Sequence, residues 1–211
     1  PAPPHSLPQL TDMRLLLVPL LLVATLLQQD DLIAARSKGS PAAPVTIYEI
    51  SDFQCPYCAQ FWRETLPALE REYVARGKVR FVFVNLPLPM HRNAVPAAEL
   101  AMCAARQNRF WAVHDQLYRH QARWEGLTEP GSFFLALGDS AGANRDSLVV
   151  CVRSGATRDV VRSDAEGAYR SGARSTPSFY IEGGLLVGAQ PIEVFRSVLD
   201  SIIRSKENRR P

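Results

Sequence analysis

The feature that most constrains this chain is Cys55-Pro56-Tyr57-Cys58, because of where it falls. Val45 to Ile50, just before it, alternates around β-branched and aromatic residues and reads as a strand; the segment from Pro56 to about Arg76 reads as a helix kinked at Pro67. Cys55 is therefore expected at a helix N-terminus, with Cys58 one turn further on. There, unpaired N–H groups and the positive end of the helix dipole stabilise a negative sulfur and lower its pKa below the free value of about 8.5. Cys55 reads as the exposed attacking and leaving sulfur, and Cys58 as the resolving thiol that closes a disulfide. Half of a zinc site and a structural disulfide are the competing readings. A zinc site needs a second pair of ligands at similar spacing, and Cys103 and Cys151 are isolated, so redox chemistry is preferred.

Further along, Gly77 punctuates the helix, and Val79 to Val84 is the clearest strand, apolar enough for burial on both faces. A strand–helix–strand unit of this kind is right-handed and gives parallel strands, so the sheet is expected to be α/β in character. From His91 to about Arg174 the pattern is helical throughout: Ala94 to Gln107, Phe110 to His120, a piece near Ser132 to Leu137, Arg145 to Arg153 and Thr157 to Tyr169. This block reads as an inserted helical layer. Phe110, Val113, Leu117 and Tyr118 share one helix face, so His114 beside them reads as a packed or surface histidine rather than a ligand. Strand signals return at Ser178 to Ile181 and Leu185 to Val187 around the turn Glu182-Gly183-Gly184, and an amphipathic helix runs from Pro191.

Two features near the cysteines bear on their chemistry. Glu49 lies on the strand before the pair, where a partly buried carboxylate would relay the proton that Cys58 gains or loses; a surface carboxylate on the outer strand face is an equal alternative. Thr176-Pro177 immediately precedes the late strand. A cis proline there would leave neighbouring backbone free to bind an extended peptide beside the sulfur, and a plain strand-initiating proline is the alternative. His91 either faces the cysteines or caps the next helix.

The start of the chain carries a different signal. Residues 1–12 are Pro-rich and polar; Met13-Arg14 then opens an apolar run from Leu15 to Leu27 closed by Gln28, Gln29, Asp30 and Asp31, in the manner of an export signal. As a helix that run reaches only about 20 Å, short of the ~30 Å hydrocarbon core, and Pro19 interrupts it. A cleaved signal is preferred over a membrane tether through residues 15–27, with Ala35 the best small residue for cleavage, and Ser37 to Pro44 reads as a linker. Lys and Arg number 24 against 21 Asp and Glu, so the net charge of +3 gives no reason to expect a nucleic-acid partner.

Strand, Cys-Pro-Tyr-Cys at a helix start, helix, strand, helical insertion, Thr-Pro, hairpin and final helix together resemble the DsbA-like branch of the thioredoxin superfamily over about Pro44 to Ser205. Asn85-Leu86-Pro87-Leu88-Pro89-Met90-His91, Ala97-Ala98 and Phe110-Trp111 carry the same resemblance. It implies an α/β thioredoxin-like fold, a central mixed sheet with an inserted all-helical domain. The division expected is 1–43 as signal-like segment and linker, 44–86 and 175–205 as the two parts of the thioredoxin-like domain, 87–174 as the insertion, and 206–211 as a basic tail. It also implies export to an oxidising, periplasmic or similar compartment, and thiol–disulfide exchange on unfolded or partly folded protein substrates. A membrane quinone-linked partner would reoxidise the pair, and no dissociable cofactor or metal is needed. By the same resemblance Pro177 is expected to be cis, Glu49 matches the buried acid of the family, and Cys103 and Cys151 pair as they do in some four-cysteine relatives. Two free buried cysteines are the alternative for that last pair.

One departure bears on direction. Strongly oxidising members carry a histidine between the cysteines, whereas Tyr57 supplies no positive charge, so a less depressed Cys55 and a less oxidising couple are expected. Thr176 also resembles the isomerase and reductase relatives. An oxidase is the reading adopted, with a reductase or isomerase of the same fold as its rival and a non-catalytic peptide- or metal-binding module as a rival of another class. The lack of Met- or His-rich segments argues against a metal carrier.

Overall fold

The computed structural model describes residues 32–209; the apolar run from Leu15 to Leu27 lies outside them. Among the described residues no helix is long and apolar enough to cross a membrane.

Five strands form one mixed sheet: β1 (Ser37–Lys38), β2 (Val45–Ser51), β3 (Val79–Asn85), β4 (Ser178–Ile181) and β5 (Gly184–Val187), in the spatial order β1-β3-β2-β4-β5. β2 and β3 run parallel, with Glu49 opposite Phe83 and Ser51 opposite Asn85, as a strand–helix–strand crossover requires. β4 runs antiparallel to β2, setting Ile50 beside Ser178, so the chain just after Pro177 is delivered next to the C-terminal end of β2. The β4–β5 turn is Glu182-Gly183, with φ of 46° and 89°; two positive values in succession fit a tight hairpin turn, and β5 starts at Gly184.

α1 (Pro56–Glu64) follows β2 directly. The expected single helix to Arg76 instead breaks at Thr65, whose hydroxyl donates to the Gln190 carbonyl at 3.0 Å, and resumes as α2 (Leu66–Leu69) and a π-helical turn (Glu70–Val74). Pro67 sits in the first turn beyond the break; having no N–H to give the Arg63 carbonyl, it interrupts the helix where a kink was expected. The helical block comprises α3 (Ala94–Ala105), α4 (Phe110–Arg119), α5 (Gln121–Trp124), α6 (Gly131–Ser140), α7 (Arg145–Ser154) and α8 (Arg158–Arg170), and α9 (Ile192–Glu207) closes the fold.

One core of Val45, Ile47, Phe61, Phe81, Phe179, Phe195 and Leu199 joins the sheet to α1 and α9. A second, built on Leu100, Met102, Phe110, Leu117, Trp124 and Phe134 of the helical layer, also takes in Phe53, Cys55, Cys58 and Phe83. The cysteine pair therefore lies where the helical layer meets the sheet.

Ser37 to Pro44 is not wholly a linker. Ser37 and Lys38 pair antiparallel with Val82 and Phe81, the Arg36 carbonyl accepts from the Phe83 amide at 3.1 Å, and Trp111 donates to the Ser37 carbonyl at 3.2 Å. Two polar residues carry no alternating pattern, so nothing local announced this strand. Residues 32–35 are helical, Leu32 and Ala35 pack on the core of the helical layer, and the buried Arg36 guanidinium pairs with Asp164 of α8. A cut after Ala35 would strip packed residues from the fold.

Candidate active site

β2 ends at Ser51 and α1 begins at Pro56, and Cys55 occupies the N-cap position between them with φ −72° and ψ 123°. Its side chain thus points at the unpaired amides of the first turn. The Cys55 thiol, ordinarily near 9, is pulled down to about 6, chiefly by hydrogen bonding to the Cys58 thiol and also by the Thr176 side chain and the amides of Cys58 and Tyr57, against a rise from burial. Cys58 moves the opposite way: its full burial, and the charge on Cys55, push it well up. Both cysteines are free thiols and both are buried: Cys55, expected to be exposed, is 3% exposed, because the helical layer and the Thr176 segment pack over it, and only Pro56 and Tyr57 between the cysteines are exposed, Tyr57 at 62%. The pair is one sulfur poised to carry charge and one that must hold its proton.

Thr176 comes to the site from the segment that leads into β4. The Cys55 thiol donates to the Thr176 carbonyl at 3.3 Å, the Thr176–Pro177 bond is cis, and the Pro177 carbonyl accepts from the Gly188 amide at 2.8 Å. Glu49 is buried rather than on an outer face, and neither carboxyl oxygen has a hydrogen-bond partner among the described residues. Burial pushes it from 4.5 up to about 8, against a weaker opposing pull from the charge of Lys38. It is a proton-holding acid at neutral pH.

The loop between β2 and α1 is pinned by residues that carried no sequence signal. Asp52 accepts from the amides of Gln54 at 2.7 Å and Leu88 at 2.8 Å, and binds the His91 ring at 2.7 Å. That bond engages the His91 side chain in tying the Pro-rich loop to the cysteine loop; Asn93, not His91, is the N-cap of α3. Gln121 of α5 donates to the carbonyls of Phe53 at 2.7 Å and Cys55 at 3.0 Å. Beneath the pair, the Ser51 and Tyr118 hydroxyls are 2.9 Å apart. Ser51 was within reach of sequence reasoning, since it lies two residues after Glu49 and shares its strand face; Tyr118 and Gln121 were not.

Away from the pair, Cys103 and Cys151 are joined as a disulfide linking α3 and α7, with Cα atoms 5.9 Å apart. They supply no second pair of ligands beside Cys55 and Cys58, and the described residues hold no cluster of three or more His, Cys, Asp or Glu placed to bind a metal ion. His114 is fully buried against Phe53, Phe83, Trp111 and Tyr118, and burial lowers its pKa, so it is a neutral packed residue.

A family model described as Thioredoxin matches residues 33–201. The Na(+)/H(+) antiporter NhaA 1 of Salinispora arenicola is 32% identical over 82% of this chain, but the chain spans only about a quarter of that protein, 26%. A probable disulfide bond formation protein D of Bacillus anthracis is 29% identical over 71% of this chain and 70% of its own length. Among solved structures, oxidised BdbD from Bacillus subtilis superposes with a TM-score of 0.74 at 20% identity, covering 82% of this chain and 95% of that one. Cys-Pro-Tyr-Cys at the start of α1, the mixed sheet and the family model over residues 33–201 make this chain a member of the thioredoxin family, with the fold of BdbD.

Proposed function

We propose that the chain is an exported thiol–disulfide oxidoreductase that introduces disulfides into protein substrates through Cys55 and Cys58. The observation that carries this reading is the placement of the two sulfurs: Cys55 at the N-cap of α1 with its thiol 3.3 Å from the Thr176 carbonyl, and Cys58 fully buried one turn further on. In the oxidised pair, a substrate thiolate attacks the Cys55 sulfur and the Cys55–Cys58 bond breaks. Cys58 leaves with the electron pair and, being buried, takes a proton from Glu49. A second substrate thiolate then attacks the substrate sulfur of the mixed disulfide, and Cys55 departs as a stable thiolate. The substrate loses two electrons, which the dithiol keeps. Backbone at Thr176-Pro177 would align the substrate chain beside the sulfur.

Turnover requires a partner that takes those electrons, and a membrane quinone-linked reoxidase is the class proposed. The disulfide bond formation proteins among the relatives favour this direction. The apolar run from Leu15 to Leu27 favours export, as cleaved signal or tether. Residues 44–86 and 175–205 are assigned to the thioredoxin-like unit and 87–174 to its insertion. A reductase or isomerase is the second reading, favoured by the exposed, uncharged Tyr57 between the cysteines. Trapping tests the exchange chemistry: Cys58→Ala should accumulate mixed disulfides through Cys55 with reduced unfolded proteins, and a variant that traps none would leave only a binding module.

A further inference from the structure

The helical layer holds a cavity that the cysteine chemistry does not use. It measures about 210 Å³ and opens between α3, α6 and α7. Val149, Val152 and Arg153 stand at i, i+3 and i+4 on α7, and Gly131, Phe134 and Leu135 do the same on α6, so each of these helices turns one face to it. Leu100 of α3 and Phe134 are buried and make its floor; Leu135, Val149 and Val152 are half-buried and make its walls. The Cys103–Cys151 disulfide joins α3 to α7, so two sides of the cavity are held together covalently. None of the lining residues belongs to the site around Cys55.

Protein interiors leave few voids larger than one water, and a water stays in such a void only where it finds polar partners. The floor and walls here supply none, whereas an apolar cavity of about 150 Å³ is already large enough to hold benzene. The rim is different. Arg153, exposed in the last turn of α7, is the one charged residue that lines the cavity. It pairs with no acid among the described residues, while Arg145 and Arg158, on either side of it in the chain, are paired with Asp139 and Glu99. Gly131 lies on the rim at the start of α6, and a Cβ placed there meets nothing within 4 Å, so the opening is clear on that side.

We propose that this cavity is a binding site for a free fatty acid, with the alkyl chain on Leu100 and Phe134 and the carboxylate on the Arg153 guanidinium. Walls of this kind take up an alkyl chain with a gain proportional to the apolar area removed from water. The unpaired guanidinium selects the head group, since its planar fork grips a carboxylate through two parallel hydrogen bonds.

Isothermal titration of the full chain with butanoate, hexanoate and octanoate, and with octanol as the uncharged control, tests this. The carboxylates should bind one per chain, with affinity rising by up to about fourfold for each added methylene until the cavity is full. Arg153→Gln should weaken octanoate by up to roughly fivefold, the upper end for an exposed ion pair, and leave octanol unchanged. Gly131→Leu puts a side chain into the opening and should abolish the binding of both. Should that variant not fold, Val149→Phe narrows the same cavity and should have the same effect. Carboxylates that do not bind would overturn the proposal and leave the cavity to an apolar side chain of a protein partner. Binding that survives both Gly131→Leu and Val149→Phe would place the ligand elsewhere and also overturn it. Octanol as tight as octanoate, with Arg153→Gln silent, would overturn the carboxylate as the recognised group. Capture of the chain by phosphatidylglycerol vesicles without binding of octanoate would overturn it in favour of a lipid surface.

Discussion

The Cys55 sulfur lies 3.3 Å from the carbonyl oxygen of Thr176, a residue 121 positions further along the chain. The helix that lowers the thiol and the strand that would present a substrate thus meet at one atom. Alkylation of the reduced chain by iodoacetamide should follow the Cys55 thiolate, with a midpoint near pH 6, while Cys58 stays unmodified. A midpoint near the free-cysteine value of about 8.5 would remove the poised thiolate from the account.

Glu49 should cost the fold stability as pH rises. Its folded pKa of about 8 stands above the unfolded 4.5, so the protonated form is the one that folding favours; that contribution is complete below 4.5 and is lost as pH climbs to about 8. Glu49→Gln should therefore melt higher than wild type near pH 8, with the difference shrinking toward pH 4.5. Melting temperatures measured across that range check the sign, and a constant difference would contradict it.

The Cys103–Cys151 bond closes a loop of 48 residues inside the helical layer. By loop-closure entropy it contributes about 4 kcal/mol to folding. Replacing both cysteines by alanine should lower the denaturant midpoint accordingly while leaving the Cys55 alkylation midpoint in place, because Cys55 is set by Cys58, Thr176 and the first-turn amides.

Gln121 holds two carbonyls of the cysteine loop, Phe53 and Cys55, from the far side of the helical layer. Gln121→Leu keeps its bulk but leaves both acceptors buried without that donor, which should cost about 1–3 kcal/mol in chemical denaturation. A neutral substitution would show that the loop is held by Asp52 alone.

What the sequence made legible was local chemistry. Cys55 and Cys58 announce themselves by spacing, and β2, β3 and α9 by periodicity, because each buries a face whose pattern repeats within a few residues. Pairings across the chain left no such mark. The two-residue β1 is made by Arg36, Trp111 and β3, and the anchoring of Thr65 by a carbonyl of Gln190. The site divides the same way: Glu49 was readable from its place on β2, with its burial implied by the family resemblance, and Gln121 and Tyr118 acquire meaning only when the helical layer folds over the cysteine loop.

The reduction potential of the Cys55–Cys58 couple against glutathione, with Cys103 and Cys151 intact, tests the central claim most directly. A stabilised Cys55 thiolate favours the reduced form and so makes the disulfide an electron acceptor. The account predicts a value on the oxidising side of glutathione but short of the DsbA end near −120 mV, since Tyr57 supplies no positive charge beside the thiolate. A value near −270 mV, at the thioredoxin end, would contradict it and leave a reductase that needs an electron supply.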